Sequence, residues 1–279
     1  MNRKDKVDNK SMFPTLQEIR DAHFCRREYE RYLPLSRYLF RPVGFLLTWI
    51  GIRIGLTSEA VSWLSGLVGL IGLLCLLSAQ TQLLPIGIGL LLLFNLLDCI
   101  DGSIARTMKT QNQYGKFLDS LMGWVDMGFW AVIGVMAYHN PQLLHWPNPL
   151  DKGVIVWLAA GGLTCFFFIL VRYIEQIFDE LLRDDWDKLL DKPESDISKN
   201  KTTGSRNNPT SVIMNIIRRI NHNMRVRETQ YLLLILAYWG KVIDLLLIVF
   251  LFYYTLHTML LIIIYTARGK QIRNSLGIH

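Results

Sequence analysis

Long apolar runs separated by short charged segments set the pattern of this 279-residue chain. Four stretches, roughly 61–78, 83–97, 121–138 and 154–171, have the length and lack of charge expected of helices crossing a bilayer. A fifth apolar region, 231–267, is interrupted only by Lys241 and Asp244 among full charges. It is too long for one span, and Gly240-Lys241 offers a turn, so two crossings are expected there. The pattern predicts an all-α, polytopic membrane protein with six transmembrane helices. Ahead of the first span, residues 34–56 mix Leu35, Tyr38, Leu39, Phe45, Leu46, Trp49 and Ile50 with Arg37, Arg41 and Arg53. Such a segment suits an amphipathic helix lying in the interface with its arginines at the headgroups, bent or restarted at Pro42.

The expected organisation is a polar cytoplasmic segment over 1–33, the interfacial helix over 34–56, a membrane domain over 57–268 and a cytoplasmic tail over 269–279. Within the membrane domain, about 178–210 reads as a loose cytoplasmic linker, punctuated by Pro193 and Gly204. After Pro209, Val212, Ile213, Ile216, Ile217 and Ile220 fall on one helical face, which predicts a second surface-lying helix. Gly66, Gly69 and Gly72 line one face of the first span and predict close helix packing.

Charge orients this scheme. Of the 30 Lys and Arg residues, all but Lys152 and Lys241 fall in segments on one side of the six crossings. The positive-inside rule then assigns both termini to the cytoplasm. The net charge of +7 reads as topology and attraction to anionic lipid headgroups, and no nucleic-acid partner is expected. Cys25, Cys75, Cys99 and Cys165 lack ligand spacing and read as small core residues. The first 33 residues are charged and hold no apolar stretch, so no cleavable signal is expected.

Chemistry concentrates in DCIDGSIARTMKTQNQYGKFLDSLMGWVD, residues 98–126. Asp98 and Asp101 are three apart and share a helix face; Asp119 and Asp126 are seven apart and share a face of the next helix. A short polar connection predicts that the two helices are antiparallel neighbours whose acidic faces meet. An ionised Asp at the centre of a spanning helix costs about 2.5–3.5 kcal/mol. Several together call for compensation, and Mg²⁺ or Mn²⁺ bound by carboxylate and phosphate oxygens would supply it. Gly102 and Gly115 leave room for a substrate beside the backbone, and Arg106 offers a fixed positive charge to phosphate.

The segment resembles the CDP-alcohol phosphotransferase motif, D-x2-D-G-x2-A-R-x8-G-x3-D-x3-D. Asp98, Asp101, Gly102, Ala105, Arg106, Gly115 and Asp119 stand at its spacing. Leu56-Thr57-Ser58-Glu59-Ala60-Val61-Ser62 is also similar to the opening of the first span in that family. The resemblance covers roughly 35–268. It implies transfer of a phospho-alcohol group from a CDP-alcohol donor to the hydroxyl of a lipid or small polar alcohol, with release of CMP, as in phospholipid synthesis. It further implies a homodimer among membrane lipids and two divalent ions held by Asp98, Asp101 and Asp119. Gly102, Ala105, Arg106 and Gly115 would line the nucleotide pocket, with Asp98 and Asp101 also facing the substrate.

One position departs from the motif. Where the family has its last aspartate, beside the metals and proposed as proton acceptor, this chain has Gly123. Asp126 is the nearby replacement, about 4.5 Å further along a helix at 1.5 Å per residue. Either the acceptor or a water enters the space at Gly123 and reaches Asp126 as base and further ligand, or three carboxylates hold the metals. A non-catalytic member that binds CDP-type nucleotide and metal as a sensor or partner subunit is the alternative function.

Several polar residues carry a plainer reading. Lys116 suits a headgroup contact as well as a phosphate. Arg172 and Glu175 form either an interfacial ion pair or the lining of an acceptor pocket. Lys241 and Asp244 read as structural, and His257 as a core histidine.

Overall fold

The computed structural model describes residues 13–24, 33–146, 155–190 and 219–275, and among them every regular element is helical. In chain order these are α1 (Leu16–Ala22), a π-helical stretch (Ser36–Phe40) running into α2 (Arg41–Arg53), α3 (Ser58–Leu77) and α4 (Leu84–Thr107). They are followed by α5 (Gln113–Gly123), a 3₁₀ turn (Val125–Gly128), α6 (Phe129–His139), α7 (Ile155–Leu181), α8 (Arg183–Leu190), α9 (Arg227–Gly240) and α10 (Ile243–Ser275). Among the described residues, five helical stretches are long and apolar enough to cross a membrane: 58–77, 84–107, 113–139, 155–181 and 243–275. The chain is therefore a multi-pass membrane protein. The turn expected near Gly240 is present, with Lys241 at φ 55°. Its first arm, α9, has 14 residues and is not among the five. The surface helix expected after Pro209 lies mostly outside the described residues, of which 219–224 are helical. Cys25, Lys152 and most of the expected linker also lie outside them.

The described residues form two compact units, Met1–Asp126 with Asn215–Ile235, and Met127–Met214 with Leu236–His279. In the first unit the glycines of α3 do what their spacing predicts. A Cβ on Gly69 would meet the Phe94 ring at 3.0 Å, and one on Gly87 would lie 2.9 Å from the Gly72 carbonyl oxygen. Without side chains at these points the backbones of α3 and α4 come close, and dispersion contacts replace a hydrophobic force that lipid does not supply. Gly66 does the same for α5, since a Cβ there would overlap the Met122 sulfur. Ile19, Ile52, Val61, Ile100 and Ile104 form a buried cluster joining α1, α2, α3 and α4. Helix α2 thus lays one face on α4 and leaves Val43, Leu46 and Ile50 exposed.

This packing corrects the expectation that the two acidic helices are direct neighbours. Helix α5 packs on α3, and α4 packs on α3 and α2, so a space opens between α4 and α5. The third expected span is also not one continuous helix. It breaks at Trp124, where α5 gives way to the 3₁₀ turn holding Asp126.

In the second unit, Gly134 of α6 and Gly161 of α7 meet so closely that a Cβ on Gly161 would lie 2.5 Å from the Gly134 Cα. Trp130, Phe250 and Tyr254 are fully buried and pack together, with Trp130 and Phe250 ring centres 4.2 Å apart and Tyr254 edge-on to Trp130. Asp244 accepts a hydrogen bond from the Trp146 backbone N–H at 2.7 Å, the structural role expected of it. His257 lies parallel to the Tyr253 ring, centroids 5.7 Å apart. Arg172 lies over the Phe168 ring at 5.8 Å.

Candidate functional site

Two helix starts shape the site. Thr57 caps α3 by accepting from the Ala60 N–H at 3.2 Å, and Asn112 caps α5 by accepting from the Gly115 N–H at 2.6 Å. Both starts border a cavity of about 930 Å³ in the first unit. The backbone N–H groups of a helix start favour an anion nearby. All seven residues of the motif line this one cavity: Asp98, Asp101, Gly102, Ala105 and Arg106 from α4, and Gly115 and Asp119 from α5. Residues far apart in the chain join them, among them Arg41, Ser58, Glu59 and Glu228. The volume suits a nucleotide-sized ligand.

Asp101 is the most enclosed of the cavity's carboxylates, with 2% of its surface exposed. Ser62 donates to its Oδ2 at 2.6 Å, the Gly102 N–H donates to its Oδ1, and Ser58 donates to its backbone carbonyl at 3.0 Å. Ser58 and Ser62 are one helical turn apart, so a single edge of α3 fixes Asp101. Asp98, one turn earlier on α4, is half-buried, and Asp119 is exposed at the cavity edge. Arg106 folds back along its own helix. A Cβ on Gly102 would lie 3.1 Å from its Nη1, so the glycine makes room for the guanidinium.

Asp126 departs from its expected place. The break after Gly123 takes it off the face it would share with Asp119, and it does not line the cavity. It is 5% exposed; its Oδ2 accepts from the Tyr231 hydroxyl at 2.8 Å and lies 3.2 Å from the Arg227 Nε. The same guanidinium places Nη1 3.5 Å from Asp98 and donates from Nη2 to the Gly123 carbonyl at 2.8 Å. A Cβ on residue 123 would stand 2.9 Å from that Nη2. The space at Gly123 is therefore taken by the chain's own cation.

Sequence reading did not single out Ser62, Tyr231 or Arg227, and it assigned Arg41 to the headgroups. The serine was visible at helical spacing from Ser58. Arg227 looked like any basic residue before an apolar run, and only the fold brings it to Gly123, 104 positions earlier in the chain.

The donor chemistry suits a hard divalent cation, because the acidic lining supplies carboxylate oxygens. Among the described residues, no three His, Cys, Asp or Glu side chains converge closely enough to hold an ion by themselves. Mg²⁺ needs fewer protein ligands than that, since it is commonly held by one or two carboxylates completed by substrate phosphate and water. The residues therefore fit an ion that arrives with a diphosphate.

Against known proteins, the family model described as CDP-alcohol phosphatidyltransferase matches residues 56–185. That interval contains the whole lining contributed by α3, α4 and α5. No curated protein matches the chain significantly.

Proposed function

Residues 56–185 belong to the CDP-alcohol phosphatidyltransferase family, and from that premise we propose that the cavity between α4 and α5 binds a CDP-alcohol and transfers its phospho-alcohol group to an acceptor hydroxyl. The observation that carries the reading is the convergence of all seven motif residues on one cavity. The acceptor oxygen attacks the phosphorus bearing the donor alcohol, the bond from that phosphorus to the bridging oxygen breaks, and CMP leaves. The reading includes a lipid or small polar alcohol as acceptor, a role in phospholipid synthesis, a homodimer, and both termini in the cytoplasm.

Asp98, Asp101 and Asp119 are the residues to hold Mg²⁺ or Mn²⁺, whose charge would neutralise the bound diphosphate and stabilise CMP as the leaving group. Ser62 and the Gly102 N–H hold the Asp101 carboxyl group in place. Arg106, with Arg41 and Lys116 on the same cavity, holds the phosphate oxygens and offsets their charge. Gly102 leaves room for the Arg106 guanidinium, and Ala105 and Gly115 line the nucleotide pocket beside it. Asp119, exposed on the cavity edge, takes the proton of the acceptor hydroxyl. Asp126 is the weaker candidate for that role, because its Oδ2 already serves Tyr231 and Arg227.

Asp101→Asn tests the assignment. The variant should fold, bind detergent normally and lose CMP release from CDP-alcohol; wild-type turnover in it would overturn the site. Arg227 at Gly123 gives the second reading its footing, a member that binds nucleotide and metal without turnover. In that case CDP and Mn²⁺ would raise the melting temperature with no CMP formed from any donor and acceptor.

A further inference from the structure

We infer that Arg227 stands in for one of the two divalent ions that the motif implies, so that this chain takes up a single ion with its nucleotide. This rests on the preceding reading of the cavity as a metal and CDP site. Three observations carry it. The guanidinium lies between two carboxylates, 3.5 Å from Asp98 and 3.2 Å from Asp126. It also donates to the Gly123 carbonyl at 2.8 Å, and its Nη2 lies 2.9 Å from the place of a Cβ on residue 123. A carboxylate at 123 and this guanidinium would compete for one space. Finally, the arginine is held by an aromatic ring as well, its Cζ 5.1 Å from the centroid of Phe94.

The electrostatics run the same way. Replacing an aspartate by glycine removes one negative charge from the spot where the motif has an ion, and Arg227 adds a positive one. A divalent cation entering there would meet a fixed charge of its own sign at ion-pair distances, with one carboxylate fewer to attract it. Asp98 would have to leave Arg227 to serve it. On the cavity side, Asp101 is held by Ser62 and the Gly102 N–H, and an ion on Asp101 and Asp119 completed by phosphate oxygens is accommodated there.

Counting bound Mn²⁺ tests this directly. Detergent-purified protein is titrated with Mn²⁺ in saturating CDP, and free Mn²⁺ is read by electron paramagnetic resonance. The wild type should bind one ion per chain; two, or none, would overturn the inference. Arg227→Gln should bind two, and one in a folded, monodisperse sample would equally overturn it. If that variant does not fold, the wild-type count decides alone. One ion per chain without CMP release from any CDP-alcohol would leave this inference standing and sink the transferase reading instead.

Discussion

Arg227 donates through Nη2 to the carbonyl oxygen of Gly123 at 2.8 Å, across 104 positions of sequence. The contact explains how the chain tolerates a glycine at a position that its motif gives to a carboxylate. The missing negative charge would leave room and an unbalanced field. The guanidinium fills the room and pairs with the two nearest carboxylates instead. Asp126, enclosed by Arg227 and Tyr231, is thereby an anchor of the arginine.

That anchoring predicts a stability pattern. Tyr231→Phe removes the hydroxyl that donates to Asp126, and a hydrogen bond to a charged acceptor contributes about 1.5–3 kcal/mol. Arg227→Ala leaves the Asp126 side chain, 7% exposed, without its cation, which costs about 3–5 kcal/mol. Unfolding followed in detergent should rank wild type above Tyr231→Phe and that above Arg227→Ala. An Arg227→Ala midpoint equal to wild type would contradict the arrangement.

Ser62 is predicted to matter through Asp101. Its hydroxyl is a 2.6 Å donor to a carboxylate that is 2% exposed. Ser62→Ala should lower CMP release about tenfold or more, the rate equivalent of about 1.4 kcal/mol, and weaken Mn²⁺ binding. Unchanged kinetics and Mn²⁺ affinity would remove Ser62 from the site.

Much of this was legible beforehand, and the physical reason differs from element to element. Asp98, Asp101 and Arg106 sit on one helix, where spacing alone fixes which residues share a face. Gly66, Gly69 and Gly72 advertised the α3 contact because in lipid small residues are what let helices approach. The relation of α4 to α5 was not legible, since a polar connection predicts antiparallel neighbours but not that both lean on α3. Nor was the break at Trp124, which follows no proline and turns Asp126 away from Asp119. Arg227 was hidden for a different reason: its partners are set by tertiary structure, and nothing local distinguishes it from the basic residues that orient a membrane protein.

The two aspartates after the motif glycine are predicted to separate in function. Asp119 borders the cavity and Asp126 does not. Asp119→Asn should reduce CMP release by at least about a hundredfold, the low end of general-base contributions. Asp126→Asn should lower the unfolding midpoint while retaining turnover. Loss of turnover in folded Asp126→Asn alone, with Asp119→Asn active, would reverse the assignment.

In the second unit, adjacent glycines give an internal control. A Cβ on Gly161 would lie 2.5 Å from backbone of Gly134, whereas one on Gly162 meets nothing within 4 Å. Gly161→Ala should destabilise by about 1–3 kcal/mol through overpacking. Gly162→Ala should be neutral or slightly stabilising, as helix propensity favours alanine. Equal midpoints for the two variants would contradict the close contact of α6 and α7.

The most direct test of the central claim is CMP release by purified wild-type protein. It would be offered a panel of CDP-alcohols with lipid and small-molecule extract from the native cells, with Mg²⁺, with Mn²⁺, or with chelator. The account predicts that at least one donor yields CMP only when the divalent ion is present. CMP formation unaffected by chelator, or no release from any donor once a competent acceptor is present, would contradict it.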